Sequence, residues 1–182
     1  MSKISVPIAL VFVLLAAGVC FAQKGKPASA EPKVAEPKVS VTNYGDWALR
    51  CQGDSNKDAK NCEVALTIQL KDQSAPIAKI ALGRPMPEAP LQAIVLLPTN
   101  VSFPSTVKLF ASDKDPWGLD FTWRRCVQGG CFAEGIPSAE DLKNWREAKG
   151  DGRLLFKDAT GQDLTIPVSF HGIGDALDAL GK

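Results

Sequence analysis

From about Tyr44 onward the chain is dominated by short runs in which apolar and polar residues alternate. In "CEVALTIQL", Val64, Leu66, Ile68 and Leu70 fall on one side, against Glu63, Ala65, Thr67 and Gln69 on the other. "GLDFTWRR" repeats the pattern with Leu119, Phe121 and Trp123, and "DLTIPVSF" with Leu164, Ile166, Val168 and Phe170. Successive strand side chains point to opposite faces, so each run predicts a half-buried antiparallel strand. "DWALRC", "IAKIAL", "LQAIVLL", "TVKLF" and "RLLFK" are further strand candidates. Turn formers separate them: Gly83 with Pro85 and Pro87, Pro98-Thr99-Asn100, Asp115-Pro116, and Thr160-Gly161. Many short strands at this spacing predict an all-β sandwich or barrel. Pro167 has no amide donor, so its strand belongs at an edge or carries a bulge.

Two segments change period. In "PSAEDLKNWREAKG", Ser138 and Asp141 stand three residues apart as a capping-box variant, and Leu142 and Trp145 share a helix face. Gly150 is positioned to end that helix. Trp145 is expected to be core, because a large aromatic on such a face is mainly buried area. In "GIGDALDALGK", Ile173, Ala176, Leu177 and Leu180 recur at helical spacing, with Gly172 or Gly174 at the entrance.

Composition divides what precedes the strands. Lys3 and an apolar run from Ile8 to Val19 lead into Cys20-Phe21-Ala22, which predicts a signal peptide over residues 1–22. A lipoprotein would make Cys20 its first residue, but Val19 is too bulky for the position before it. Residues 23–43 then read as a Pro/Lys/Glu-rich disordered linker. Ala30-Glu31-Pro32-Lys33-Val34 recurs as Ala35-Glu36-Pro37-Lys38-Val39, and proline at this density favours extended chain. Residues 44–182 make one domain, long enough to bury a core of its own.

Cleavage would reduce five cysteines to Cys51, Cys62, Cys126 and Cys131. An even set in an exported chain predicts disulfides. Three pairings are possible, and Cys51–Cys62 with Cys126–Cys131 asks least of the fold. "CVQGGC" lacks the C-x-x-C of a redox site, and its glycines suit a tight turn between strands. A zinc site would need ligands at metal spacing, and His171 is the one histidine.

The remaining chemistry is sparse. Without Lys3, basic and acidic residues balance, so no basic face argues for nucleic acid. A Ser-His-Asp arrangement would have to recruit His171 with Ser169 or a distant serine and an acid such as Asp175, with no nucleophile elbow to present a serine. Gly172-Ile173-Gly174 lacks the third glycine of a nucleotide fingerprint. Asp113 and Asp115 in "SDKDPWG" are spaced as oxygen ligands, yet the loop is too short for an EF-hand and reads as a turn. Trp117, on that turn, is the candidate partner contact. No catalytic residue, metal or cofactor is assigned.

The order "YGDWALRC", "NCEVALTIQL", "LLPTNVSFPSTVKLF", "FTWRRCVQGGC" and "LTIPVSFHGIGDALDALGK" resembles the invasion-associated locus B family of exported bacterial proteins, found mainly in alphaproteobacteria. The likeness runs from about Gly45 to Leu180. It implies an immunoglobulin-like antiparallel β-sandwich, locally paired cysteines and a cell-envelope or secreted location. In pathogenic members the family is linked to entry into erythrocytes, and it offers no catalytic set to carry over. Gly172-Ile173 departs from the glycine-aromatic pair often found in its C-terminal motif, and the proline-rich leader lies outside its pattern. The expectation is an exported, non-enzymatic binding module whose partner is a protein or envelope component, with no membrane span after cleavage. The alternatives are an inhibitor of host hydrolases, acting through Trp117 or the "GRPMPEAP" loop, and a periplasmic enzyme with His171 as base.

Overall fold

The computed structural model describes residues 38–53, 60–71, 73–115 and 118–181. The signal-peptide segment and Trp117 lie outside them. Ten strands and two helices follow in the order β1 (Lys38–Tyr44), β2 (Trp47–Gly53), β3 (Lys60–Ile68), β4 (Ala78–Gly83), β5 (Gln92–Leu97), β6 (Val107–Phe110), β7 (Leu119–Val127), β8 (Gly130–Gly135), α1 (Ala139–Glu147), β9 (Gly152–Lys157), β10 (Asp163–Val168) and α2 (Ile173–Leu180).

The strands are hydrogen-bonded in the order β1-β2-β3-β4-β5-β8-β7-β6-β9-β10. Every adjacent pair is antiparallel. Residues Leu119 to Phe121 of β7 pair with β6, whereas the strand pairs with β8 from Thr122 to Val127. A register shift between Trp123 and Arg125 lies just beyond the change, within the β7–β8 ladder. A strand that exchanges partners through a bulge turns a corner between two layers. The spatial run β5-β8-β7-β6 is a Greek key, the connection common to sandwiches of the immunoglobulin type. The fold is thus the expected all-β sandwich with one internal and one C-terminal helix.

Alternation works as the hydrophobic pattern requires. Val64, Leu82 and Ala93 stand opposite one another across β3, β4 and β5, as do Leu66, Ile80 and Val95. All six are buried. They join Val107, Leu109, Phe121, Leu154, Phe156, Ile166 and Val168 of the second layer in one core cluster. Each fully buried aliphatic side chain contributes roughly 1.5–3 kcal/mol against solvent exposure. Pro167 lies in β10, which is an edge strand.

Ser138 caps α1 and accepts from the Asp141 amide at 3.1 Å, while the Asp141 carboxylate accepts from the Ser138 amide at 2.8 Å. Trp145 is buried against Phe170, with ring centroids 6.0 Å apart. Helix α2 has Gly172 as its N-cap, packs on β2 and β3, and sends Ile173, Ala176 and Leu177 into the core. No described helix is long and apolar enough to cross a membrane.

Four local expectations change. Helix α1 stops at Ala148, whose backbone is already extended, so Gly150 is not its terminator. Leu70 lies beyond the end of β3 and is exposed. Leu164 is also exposed, because β10 at the sheet's edge is covered only where Ile166 and Val168 face the core. Strand β1 begins at Lys38, so residues 38–43 of the expected linker are paired with β2. From Val39 to Asn43 every β1 side chain is exposed, so backbone pairing rather than apolar burial holds that strand.

Candidate functional site

A groove of ≈ 550 Å³ lies on the outer face of the β1–β5 meander. Its position follows from strand alternation. Val64, Leu66, Ile80 and Leu82 point into the core, so Glu63, Ala65, Ala81 and Gly83 belong to the opposite face. Register sets Arg50 beside Glu63, Glu63 beside Gly83, and Gly83 beside Gln92. Ala81 and Gly83 have little or no side chain to stand up from this surface, which leaves a trough between β1 and the β4–β5 loop. Val39 lines one wall, and Arg84 with Pro85 lines the other.

Two hydrogen bonds brace the loop wall. Arg84 Nη1 donates to the Ala89 carbonyl at 2.8 Å, and the Ala89 amide donates to the Met86 carbonyl at 3.0 Å. Met86, at the apex of the "GRPMPEAP" segment, is 67% exposed. Glu63 is neutralised by Lys79 at 2.8 Å. Arg50 and Arg84 then leave the groove with positive charge beside the polar side chains of Gln52, Asn61 and Gln92. Such a surface can accept an extended chain rich in carbonyl or carboxylate oxygens.

Cys51 stands opposite Cys62 on β2 and β3, and Cys126 opposite Cys131 on β7 and β8. The sulfurs of the two pairs are 2.07 and 1.98 Å apart, at bonding distance. Their Cα separations of 4.0 and 3.9 Å mark non-hydrogen-bonded cross-strand sites, where side chains approach closest. Gln128-Gly129 is the two-residue turn between β7 and β8, and Gly130 (φ 137°) follows it. Its Cβ would lie 2.5 Å from the Leu97 carbonyl. A side chain has no room there.

Ser169 and His171 do come together with an acid, and the acid is Asp46 rather than Asp175. Ser169 Oγ donates directly to Asp46 Oδ2 at 2.6 Å, and the His171 amide donates to Ser169 Oγ at 3.2 Å. His171 Nδ1 lies 3.8 Å from the same carboxylate oxygen, with the side chain 79% exposed. A catalytic triad needs the imidazole between serine and acid. Here the hydroxyl bonds to the carboxylate itself, and the neighbouring bonds tie chain segments together. The Asp46 amide donates to the His171 carbonyl at 3.1 Å, and Trp47 Nε1 donates to the Ser169 carbonyl at 3.0 Å. This cluster is a lock between the β1–β2 turn and the entrance of α2.

The carboxylates once considered as cation ligands have other partners. Asp115 accepts from the amides of Ala111 and Gly118, each at 3.0 Å, and Asp113 pairs with Arg153, whose guanidinium lies over the Phe110 ring. Among the described residues, no group of three or more His, Cys, Asp or Glu side chains could hold a metal. Sequence reasoning singled out the "GRPMPEAP" loop at one wall but not the groove itself, because the rest of its lining is assembled from five strands by register. It also passed over exposed Phe103, which packs on Trp123 with centroids 4.8 Å apart.

The model of one protein family, "Invasion associated locus B (IalB) protein", matches residues 47–181. The chain belongs to the IalB family. The match spans the strands from β2 onward, both cysteine pairs and both helices. A crystal structure of invasion associated protein b from Bartonella henselae has the same fold, with a TM-score of 0.65 and 18% identity, covering 78% of this chain and 95% of that one. No curated protein matches the chain. IalB membership and the two cysteine pairs fit an exported, envelope-associated protein.

Proposed function

We propose that this IalB-family protein is an exported, non-enzymatic binding module of the cell envelope, and that its partner docks in the outer groove of the meander. The observation that carries this reading is the groove itself: ≈ 550 Å³ of concave surface with small residues in its floor, a fixed loop at one side and net positive charge. The wiring of Ser169 to Asp46 supports the non-enzymatic part, since the hydroxyl bonds to the carboxylate directly and the His171 ring does not stand between them. Delivery follows from a signal peptide over residues 1–22, and the site of action is the periplasm or the cell surface. The partner is a protein or another envelope component presenting acidic or carbonyl-rich extended chain. Capture experiments from envelope fractions and from intact host cells, run with wild type, Arg50→Glu and Ala81→Phe, test this. A partner retained by wild type and lost by both folded variants is the expected result. No partner, or one bound equally by all three, refutes it.

The exposed Met86 on its braced loop favours one second reading, insertion into the cleft of a host hydrolase. Lysozyme inhibition that disappears on Met86→Ala would support it; no inhibition at micromolar protein removes it.

A further inference from the structure

The strand order ends at β1 and at β10, and the two edges differ in kind. An open edge offers unpaired backbone groups to any other strand, and proteins usually blunt it with proline, charge, bulges or short length. Strand β10 carries Pro167 and the Asp163–Lys157 ion pair. Beyond its bulge, the flank of β7 carries Arg124 and Arg125. Among the described residues, strand β1 has only one of these devices, Lys38 at its very start. Its register with β2 is unbroken from Lys38 to Tyr44, it has no proline, and Val39 and Val41 are each 55% exposed.

Which of its backbone groups face outward follows from the cysteines. The close Cα approach of Cys51 and Cys62 makes that a non-hydrogen-bonded pair, so the Cys51 amide and carbonyl point the other way, toward Ser40 of β1. Alternation then assigns the backbone groups of Ser40 and Thr42 to β2 and those of Val39, Val41 and Asn43 to the free edge.

We infer that β1 pairs with β1 of a second copy of this chain, antiparallel about a two-fold axis through Val41. In that register Val41 meets the partner's Val41, and Val39 meets the partner's Asn43. Every outward amide and carbonyl is then satisfied, with about six hydrogen bonds from the three facing pairs. Any other register leaves some of these groups unpaired. The charge pattern agrees, because the strand's one charged residue, Lys38, falls opposite the partner's Tyr44 and far from its own symmetry mate. The interface is isologous and closes after two copies. Since Val39 also lines the groove, the dimer would place two grooves side by side on one face of a continuous sheet. The inference does not depend on what fills the groove.

Sedimentation velocity of the oxidised mature protein, from micromolar to hundreds of micromolar, tests it. Wild type is expected to shift from monomer to dimer. Val41→Pro removes an outward N–H, which an edge strand tolerates, and Val41→Lys sets like charges face to face at the axis. Both variants should stay monomeric with an unchanged circular dichroism spectrum. Amide exchange at Val39, Val41 and Asn43 should slow with concentration in wild type. A wild type that is monomeric throughout, a dimer that survives both substitutions, or concentration-independent protection of those amides overturns the inference.

Discussion

A methyl group on Gly172 would lie 2.0 Å from the Tyr44 carbonyl oxygen, and the residue's φ of 88° is one that side chains rarely adopt. Both penalties arise where the lock formed by Asp46, Ser169 and His171 brings the first hairpin against α2. Gly172→Ala should therefore lower stability by on the order of 3 kcal/mol. Gly150→Ala, with open space around it, should stay within about 0.5 kcal/mol. Urea midpoints of the two variants check this. Asp158 supplies the pH dependence visible at this scale. Its carboxylate accepts from the Thr160 hydroxyl at 2.6 Å and from the amides of Thr160 and Gln162 at 2.8 and 3.0 Å. The Thr160 side-chain bond, followed by these backbone bonds, holds its pKa below the ordinary value. A lowered folded-state pKa means the contribution is complete above the unfolded value of about 3.9 and is lost as pH falls through the folded one. Asp158→Asn should thus flatten the acid limb of a stability-pH curve measured from about pH 5 to about pH 2, and leave its neutral part parallel to wild type.

At the scale of elements, each cysteine pair ties a hairpin: β2 to β3 over a separation of 11 residues, and β7 to β8 over 5. Loop-closure entropy assigns each bridge about 2–3 kcal/mol. Replacing Cys126 and Cys131 together by alanine should lower stability by that amount, without unfolding a chain that has its own core. Most strands were legible in the sequence because half-burial forces a period of two, which "IAKIAL" and "LQAIVLL" display plainly. The cysteine pairs were legible through chain arithmetic and the turn chemistry of Gly129-Gly130. Strand β1 was not. Val39-Ser40-Val41-Thr42 is exposed on both faces, so no hydropathy contrast marks it, and a proline-rich composition masked its start. The groove was equally hidden. Ala81 and Gly83 are unremarkable alone, and they become a floor only when four neighbouring strands are aligned beside them.

For the whole molecule, the layers divide the work. The inward faces and both helices build one core, the paired cysteines fasten two hairpins, and the outward face of the meander is the docking surface proposed above. The full chain's net charge of +1 gives no long-range pull toward a polyanion, so the proposed docking would rest on local shape and on Arg50 and Arg84. The most direct measurement places a photo-crosslinking residue at Gln92, in the groove, and in a second strain at Gln162, on the β9–β10 turn, and irradiates living cells. The account predicts a discrete adduct from Gln92 that disappears with Arg50→Glu, and none from Gln162. Adducts of equal yield from both positions, or none from Gln92, would contradict it.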